Sequence, residues 1–437
     1  MTDATRPLTI DSFPRAIAHV DGDAFFTSIE QSLNPAYRGR PMVTGRERNI
    51  IACASYEAKA LGIKRGVALH EAIKICPDLI VLPDDYETYS LVSKRMFNIM
   101  RRFTPLVEEH SIDEGFADLT GCRWVHHCSY EQIAQRMKQA VCQELGFTVS
   151  VGLSLSKGLA KLCSKFRKPD GFTAVAGYHI HLLLARTPLK EDWGFGLNTV
   201  ALLEKHGLRT ALDFVRRPES WVSNLLHKPE RDIWHELRGE AINPVTTEEK
   251  TDYATVSKCK TFSAPSSDRE FVFAKLVRNI ESACIKLRRH KLRARVLYAG
   301  IRKKDFSQRG LEANLSRATS SPQEMIPLVR VMFNQLFETG VEYRATMIVL
   351  AKVEPDTAEQ YDLFSSPLRI EQVRAAAHAI DEIAERFGKH KLAFGTSLFL
   401  GRHLATERDE QPGRKNDLLP GETARCRLAV PRMNVTV

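Results

Sequence analysis

Apolar and polar residues alternate along the chain with two different spacings, which predicts a protein that mixes helices and strands. Segments with apolar residues three or four positions apart are typical of amphipathic helices, and short apolar, β-branched runs are typical of buried strands. In the first 176 residues the two kinds of segment interleave, which indicates α/β layers. Strands are predicted from residue 16 into Asp21 and at residues 41–44, 49–54, 106–112, 116–119 and 147–154, and helices at residues 26–33, 56–61, 69–75, 86–103, 131–145 and 157–165.

The pattern changes in the second half of the chain. Residues 241–250 are polar and aperiodic, which predicts a linker. The segments that follow predict strands at residues 259–262, 292–303, 310–316 and 341–353 and helices at residues 269–289 and 321–337. This βαββαβ order implies a sheet covered on one face by two helices. Beyond residue 355 a further helix is predicted at residues 368–387, and residues 404–437 have the composition of a disordered tail.

Two pairs of carboxylates stand next to predicted strands. Asp113 and Glu114 lie at the tip of a predicted hairpin in which Gly115 takes a turn conformation, and Asp21 and Asp23 end the first strand. Like charges this close repel each other unless a cation lies between them, and oxygen ligands of this kind suit Mg²⁺. Either pair alone could merely end a strand or form a turn, whereas the two pairs together favour a metal site.

The length and charge of the chain narrow the possible functions. A chain of 437 residues is too long for a single core and suggests two to four domains. The formal net charge of +10 favours a polyanionic partner such as nucleic acid, although a generally basic protein without such a partner could carry the same charge. The nine cysteines include no C-x-x-C pair, and the sequence has neither a signal peptide nor an apolar run long enough to span a bilayer. We therefore expect a reduced, cytoplasmic protein with no membrane contact.

Four residues that follow the acidic hairpin could in principle hold zinc. They are Cys122, His126, His127 and Cys128. Structural zinc sites prefer wider, paired ligand spacings, so we expect no zinc site at this position.

Three separated motifs occur in the same order as the motifs of one enzyme family. They are Val20-Asp21-Gly22-Asp23-Ala24-Phe25-Phe26, Ser55-Tyr56-Glu57-Ala58-Lys59 and Ser111-Ile112-Asp113-Glu114-Gly115-Phe116. This series resembles that of the Y-family translesion DNA polymerases, closest to the DNA polymerase IV branch, over about residues 16–355. The resemblance implies an α/β multi-domain, right-hand polymerase. Its parts would be a palm (1–32 and 86–176), small fingers (33–85), a helical thumb with a helix-hairpin-helix (177–243), a linker (244–255), a βαββαβ little finger (256–354) and a tail (355–437).

The resemblance also implies an activity, which is template-directed DNA synthesis past damaged bases from primer-template DNA and deoxynucleoside triphosphates. Two Mg²⁺ ions would be held by the catalytic carboxylates Asp21, Asp113 and Glu114, with the Gly22 carbonyl as a further ligand. Asp23 is not a ligand in the family and is expected to make structural hydrogen bonds. A catalytically silent, DNA-bound adaptor would have lost these acidic positions, and a nucleotide cyclase would lack a DNA-holding thumb and a basic last domain.

The family's motifs assign Phe25, Phe26, Tyr56, Lys59 and Lys168 to the incoming nucleotide. Phe26 would exclude ribonucleotides because its ring leaves no volume for a 2′-hydroxyl, unless it is a core residue like its neighbour. Tyr56 and Lys59 would hold the β- and γ-phosphates; the family commonly has Arg in place of Lys59, so a bidentate clamp becomes a point charge. Lys168, in a Lys-Pro-x-Gly turn, would reach the triphosphate or else is a solvated turn lysine.

Six residues are candidates for contact with DNA: Gly194, Gly196, Arg293, Arg295, Arg302 and Lys303. The glycines belong to a predicted helix-hairpin-helix whose backbone N–H groups would face a phosphate, with plain helical packing as the alternative. Trp193 and Phe195 depart there from the family's usual Pro-Gly-Ile-Gly form. Strand alternation would place Arg293 and Arg295 on one exposed sheet face that could lie along a duplex, and a merely solvated charged face is the alternative.

An isolated apolar motif interrupts the polar tail. Gln360, Leu363 and Phe364 belong to a five-residue segment that resembles the bacterial sliding-clamp-binding peptide. The alternative is that Leu363 and Phe364 cap the helix that follows. We expect a sliding clamp as a partner and a monomeric polymerase.

Overall fold

The structure is a computed structural model that describes residues 6–191, 193–248, 253–357, 366–387, 392–398 and 400. It separates into two compact units, the first built from most of residues 6–248 and the second from the described residues after 252. The strands are β1 (Ile17–Gly22), β2 (Met42–Thr44), β3 (Cys53–Ala54), β4 (Ile80–Leu82), β5 (Val107–Glu109), β6 (Glu114–Asp118), β7 (Val149–Ser154), β8 (Phe172–Ala174), β9 (Thr255–Ser266), β10 (Leu292–Lys303), β11 (Gln308–Thr319) and β12 (Tyr343–Pro355). The helices are α1 (Phe25–Leu33), α2 (Tyr56–Ala60), α3 (Leu69–Ile75), α4 (Tyr86–Met100), α5 (Arg123–His126), α6 (Tyr130–Leu145), α7 (Lys157–Phe166), α8 (Ile180–Ala185), α9 (Leu197–Lys205), α10 (Ala211–Val215), α11 (Glu219–Leu225), α12 (Lys228–Leu237), α13 (Arg269–Arg289), α14 (Pro322–Leu336), α15 (Pro367–Phe387) and α16 (Gly395–Leu398).

A five-stranded sheet organises the first unit. Its strand order is β5-β6-β1-β7-β8, with antiparallel pairs except for the parallel pair of β7 and β8. Helices cover both faces, and β7 is therefore buried along its whole length, as expected for a central strand. Ala18 and Val20 pack into the core formed with α4 and α6, whereas His19 contacts Ser164 of α7. Because side chains alternate along a strand, Asp21 lies on the same face as His19.

Two smaller parts complete the first unit. A three-stranded sheet, in the order β3-β2-β4, packs with α2 and α3 around its own small core. Helices α8 to α12 pack around another apolar core together with α7. The predicted strand at 49–54 is wrong over most of its length, since only Cys53–Ala54 forms a strand. Ile51 instead donates its N–H to the Val67 carbonyl, and Ile50 forms an isolated bridge to Ala68.

The second unit confirms the predicted βαββαβ order. Its four strands form an antiparallel sheet in the order β11-β10-β12-β9, and α13 and α14 pack on one face. Helix α15, which the sequence predicts at 368–387, is tied to this unit by ion pairs of Arg288 with Asp381 and of Arg374 with Asp356. Within the described part of the chain, no helix is long and apolar enough to cross a membrane.

Candidate active site

Strand pairing brings the two acidic motifs together at the end of β1. Asp21 pairs in register with Glu114 of β6, and the backbone N–H of Gly22 donates to the Asp113 carbonyl at 2.8 Å. The turn of the hairpin comprises residues 110–113, and the Ser111 N–H donates to the Glu114 carbonyl at 2.9 Å. Asp113 therefore lies on the turn, while Glu114 is the first residue of a strand.

Gly115 has a different role from the one expected. It lies inside β6 rather than at the turn, and its φ is not in the left-handed region. A Cβ at this position would lie 2.5 Å from Phe97 Cε1 and 2.7 Å from the Glu108 carbonyl oxygen. Glycine is needed here because α4 and β5 both lie close to the backbone of residue 115 and leave no room for a Cβ. This close approach could not be inferred from the local sequence.

Asp23 makes the structural hydrogen bonds that were expected of it. Its side chain is fully buried; one carboxylate oxygen accepts from the Ser150 hydroxyl at 2.8 Å and the other from the Asp170 N–H at 2.7 Å. These bonds hold the end of β1 against β7 and against the turn that carries Lys168. The prediction of a structural role for Asp23 is confirmed.

Glu114 is held from two sides by residues that the sequence analysis missed. Lys161 Nζ donates to Glu114 Oε1 at 2.8 Å, and His19 Nε2 lies 3.2 Å from Oε2. His19 Nδ1 is in turn 2.7 Å from the Ser164 hydroxyl. Two patterns could have revealed these residues. His19 precedes Asp21 by two positions in a strand, and Lys161 and Ser164 lie three positions apart in a helix.

Burial sets the charge states around Glu114. Burial lowers the pKa of His19 to about 4 against the opposing effect of Glu114, so the imidazole is neutral at pH 7. Burial alone would raise the pKa of the Glu114 carboxyl, but its contacts with His19 and Lys161 outweigh burial and lower that pKa below its usual range. Glu114 is therefore ionised at neutral pH and available as an oxygen ligand.

Asp21, Asp113 and Glu114 form what we call the acidic group. Within it, burial disfavours the charged form of Asp21. Burial raises its pKa to about 6, Lys168 opposes this rise, and the neighbouring charges of Glu114 and Asp113 add to it. Lys168 Nζ donates a hydrogen bond to Asp21 Oδ1. A bound cation would likewise reduce the repulsion of Asp21 by the charges of Glu114 and Asp113.

The donor atoms are arranged to hold a divalent cation. Among the described residues, His19, Asp21 and Glu114 form the one group of three whose possible ligand atoms all lie within 4.8 Å of one another. Hard carboxylate oxygens of this kind suit a divalent metal such as Mg²⁺. Cys122, His126, His127 and Cys128 form no such group, and His126 Nε2 instead contacts the Phe103 carbonyl at 2.8 Å.

The two adjacent phenylalanines have different environments. The Phe25 ring is 2 % exposed and lies edge-on to Phe147 at a centroid distance of 5.6 Å, so it belongs to the core. The Phe26 ring is half-buried, stacks on Tyr89 at 4.5 Å and meets Tyr86 edge-on at 5.2 Å. Any contact of Phe25 with a nucleotide would therefore come from its backbone, whereas the Phe26 side chain is partly exposed.

Tyr56 and Lys59 lie on one short helix beside the acidic group. Ser55 caps α2 by accepting from the Ala58 N–H, and Lys59 Nζ lies 4.1 Å from the Tyr56 ring centroid. Burial, followed by the charges of Asp23 and Asp21, raises the pKa of Tyr56. The phenol is therefore a neutral hydroxyl at physiological pH, able to donate a hydrogen bond.

The predicted glycine turn and its helix are both present in the first unit. Gly194 has a φ of +106°, which favours glycine, and Gly196 is the residue before α9. Gly207, with a φ of +78°, lies just after the end of that helix. Trp193 precedes the turn, and its ring centroid lies 4.8 Å from Lys161 Nζ.

The basic residues of the second unit are paired with acceptors inside that unit. Arg293 and Arg295 both donate to Glu354, at 2.9 Å and 2.7 Å. They share a face as expected, but the prediction that both are exposed is wrong, since Arg293 is 8 % exposed. Asp356 and Arg374 line the same cavity as Arg293, so the chain after β12 covers it.

The other two basic candidates are also engaged within the second unit. Arg302 donates to Gln308 at 2.7 Å, and Lys303 pairs with Glu338 at 2.7 Å. Contact of these cations with DNA remains a prediction. Gln360, Leu363 and Phe364, the expected clamp-binding residues, lie outside the described residues.

Comparisons with known proteins show which family the chain resembles in sequence. Residues 20–165 match the impB/mucB/samB family, and residues 254–363 match the C-terminal domain of that family. The chain is 34 % identical to DNA polymerase IV of Opitutus terrae over 388 residues, which is 87 % of this chain and 97 % of the relative. It is 30 % identical to DNA polymerase IV of Moorella thermoacetica over 86 % of this chain and 95 % of the relative.

Two solved structures have the same fold. One is a Y-family DNA polymerase chimera with a TM-score of 0.67 and 21 % identity, and the other is the insertion ternary complex of Dbh DNA polymerase with a TM-score of 0.52 and 22 % identity. Each match covers 78 % of this chain and 99 % of the solved chain. The structural likeness confirms the predicted multi-domain, right-hand polymerase fold. Together with the sequence identity to the curated relatives, it establishes that this chain belongs to the DNA polymerase IV group of the Y-family DNA polymerases.

Proposed function

We propose that the acidic group at the end of β1 carries out template-directed DNA synthesis past damaged bases, the activity of the polymerase family to which the chain belongs. The observation that carries the assignment is the pairing of Asp21 with Glu114 across β1 and β6, with Asp113 fixed beside them through its carbonyl. Asp21 and Glu114 have carboxylate oxygens within 4.8 Å of each other, and the charge of Asp113 acts on Asp21, so the three carboxylates can together neutralise the cations that nucleotidyl transfer requires. This arrangement also counts against a catalytically silent adaptor.

Asp21, Asp113 and Glu114 would hold two Mg²⁺ ions, with the carbonyl of Gly22 as a further ligand. Ions held there would supply two effects, a lower pKa of the primer 3′-hydroxyl and neutralisation of the charge on the triphosphate and the leaving pyrophosphate. Glu114 is already ionised and oriented by Lys161 and His19, so it needs little rearrangement to act as a ligand.

The lysines beside the carboxylates would hold the phosphates of the incoming nucleotide. Lys168 contacts Asp21 directly, so a modest side-chain movement would bring its ammonium to a triphosphate at that carboxylate. Lys59 and Tyr56 would contact the β- and γ-phosphates, with Lys59 acting as a point charge and Tyr56 as a neutral donor. The partly exposed Phe26 ring would lie against the sugar and exclude a 2′-hydroxyl.

We assign the parts of the fold by the same reasoning. The five-stranded sheet with its helices is the palm (1–32 and 86–176), the three-stranded sheet lies in the fingers (33–85), helices α8 to α12 form the thumb (177–243), and the second unit contains the little finger (256–354). The turn at Gly194 and Gly196 would bind the DNA backbone through N–H groups, without base readout. The exposed cations of the little finger would add sequence-independent affinity.

The remaining assignments concern partners and location. Gln360, Leu363 and Phe364 would bind a sliding clamp, and the polymerase would act as a monomer. The curated relatives include several bacterial polymerases, which supports action on cytoplasmic DNA.

Primer extension separates the proposed function from its competitors. The purified chain is incubated with a primer annealed to an undamaged template or to one with a single damaged base, together with Mg²⁺ and deoxynucleoside triphosphates. A polymerase extends the primer on both templates and adds nucleotides in the order that the template dictates. A silent adaptor binds the duplex without extending it, and a cyclase converts nucleoside triphosphate to cyclic nucleotide whether or not DNA is present.

A further inference from the structure

Trp193 links the glycine turn of the thumb to the acidic group of the palm. Its ring lies 4.8 Å from Lys161 Nζ, and the same Nζ donates to Glu114 Oε1 at 2.8 Å. His110 meets the ring edge-on at a centroid distance of 5.3 Å, and Phe116 packs at 6.2 Å. All of these residues belong to the first unit, and Trp193 is 40 % exposed, so part of the indole remains open to solvent.

The contact with the indole restricts where the Lys161 ammonium can lie. A lysine has four rotatable side-chain bonds and loses considerable rotamer entropy when it is fixed in one place. A tryptophan face attracts an ammonium through its quadrupole, and this attraction is stronger where water is partly excluded. Lys161 is 21 % exposed, so its charge is held between the Glu114 carboxylate on one side and the Trp193 ring on the other.

Trp193 also belongs to the segment that would contact DNA. It is bonded directly to Gly194, whose left-handed backbone forms the turn. A shift of this turn on binding a DNA backbone would move the indole, and with it the position at which Lys161 meets Glu114. We propose that Trp193 is a positioning residue for Glu114, which acts through Lys161 and couples the placement of DNA on the thumb turn to the placement of a metal-binding carboxylate in the palm.

This inference rests on the proposed polymerase function and deepens it. It also explains why a large aromatic residue is useful at the position where the family usually has proline, because proline offers no extended π face to an ammonium. Glycine at the next position allows the turn, and the aromatic ring before it reaches back to the palm.

The test uses the full-length protein and a set of substitutions at one position. Trp193→Phe keeps a ring face, Trp193→Leu keeps apolar bulk without one, and Trp193→Ala removes both. Trp124→Ala is the matched control, because Trp124 is 85 % exposed and lies outside the proposed site. Lys161→Met alone, and combined with Trp193→Leu, completes a double-mutant cycle.

Three quantities are measured for each variant: the rate of single-nucleotide extension at saturating nucleotide, the affinity for primer-template, and the affinity for Mn²⁺. Mn²⁺ binding is followed by electron paramagnetic resonance on a dideoxy-terminated primer-template, so this readout does not depend on turnover. We expect Trp193→Leu and Trp193→Ala to lower the rate and to weaken Mn²⁺ binding by about threefold to thirtyfold. Trp193→Phe should retain most of both, while primer-template affinity and the Trp124→Ala control stay near wild type.

The double-mutant cycle decides whether the effect passes through Lys161. If it does, Trp193→Leu has little further effect once Lys161→Met is present. Fully additive losses, or a Trp193→Leu variant with the wild-type rate and the wild-type Mn²⁺ affinity, would overturn the inference. A wild-type protein that fails to extend any primer would refute the polymerase assignment instead, so the two failures are distinguishable.

Discussion

Replacement of Phe25 or Phe26 by alanine should separate a core ring from a ring that contacts the nucleotide sugar. Phe25 is 2 % exposed and packs against Phe147. Loss of a fully buried phenylalanine costs about 3–5 kcal/mol of unfolding free energy, which corresponds to a fall of roughly 6–20 °C in the melting temperature of a unit this size. Phe26 is half-buried and loses mainly its ring contacts with Tyr89 and Tyr86, so its replacement should cost about 1–2 kcal/mol.

The two variants should differ more sharply in their choice of sugar. A 2′-hydroxyl placed against the Phe26 ring has neither room nor a hydrogen-bond partner, a penalty of about 1–3 kcal/mol from desolvation alone. Phe26→Ala should therefore raise the ratio of ribonucleotide to deoxynucleotide incorporation by roughly tenfold to a hundredfold. Incorporation of deoxynucleotide should fall only modestly.

The assay is single-nucleotide primer extension with matched ribo- and deoxynucleoside triphosphates, combined with thermal unfolding of each variant. Phe25→Ala serves as the internal control for loss of a neighbouring ring. Equal loss of activity with both sugars in Phe26→Ala, together with a large fall in melting temperature, would assign Phe26 to the core and rule out its contact with the sugar.

Three further experiments test the clamp-binding motif, the charge of Asp21 and the close packing at Gly115. Replacement of both Leu363 and Phe364 by alanine should abolish stimulation by a sliding clamp but leave clamp-independent synthesis unchanged, and persistent stimulation would instead favour a helix cap. Because burial raises the pKa of Asp21 to about 6, metal must displace a proton at low pH, so Mn²⁺ affinity should fall by up to about tenfold per pH unit below pH 6 and level off above pH 7; a flat profile would contradict this. Gly115→Ala should destabilise the first unit by about 1–3 kcal/mol in thermal unfolding, since its Cβ would lie 2.5 Å from Phe97, and an unchanged melting temperature would contradict the close approach.

The spacing of apolar residues correctly predicted elements that are buried on one face or along their whole length. Helices α3 and α13 and strand β10 have the predicted bounds, because each combines a clear apolar pattern with residues that end it, such as Pro77 after α3. The strand at 49–54 is shorter than predicted because residues 50 and 51 pair with residues 67 and 68 instead. The local apolar pattern contains no information about this pairing.

The site was predictable in its carboxylates but not in its supporting residues. Asp21, Asp113 and Glu114 could be found because charge beside apolar strands is costly without a cation. The spacing of His19 and Lys161 could have marked them as candidates, but their contacts with Glu114, and the contact of Trp193 with Lys161, depend on how α7 and the turn at Gly194 pack near the five-stranded sheet. For Arg293, strand alternation predicted the correct face of the sheet but not the burial of the side chain, because the chain after β12 covers Arg293.

We expect Asp113 and Glu114 to serve chemistry rather than DNA binding or folding. The most direct test compares Asp113→Ala and Glu114→Ala with the wild type in extension across a damaged template base, with primer-template affinity and melting temperature measured on the same preparations. The wild type should extend past the damaged base, and both variants should lose extension while they keep their affinity for DNA. Normal extension by either variant, or loss of DNA binding in parallel with extension, would show that these carboxylates do not have the proposed catalytic role.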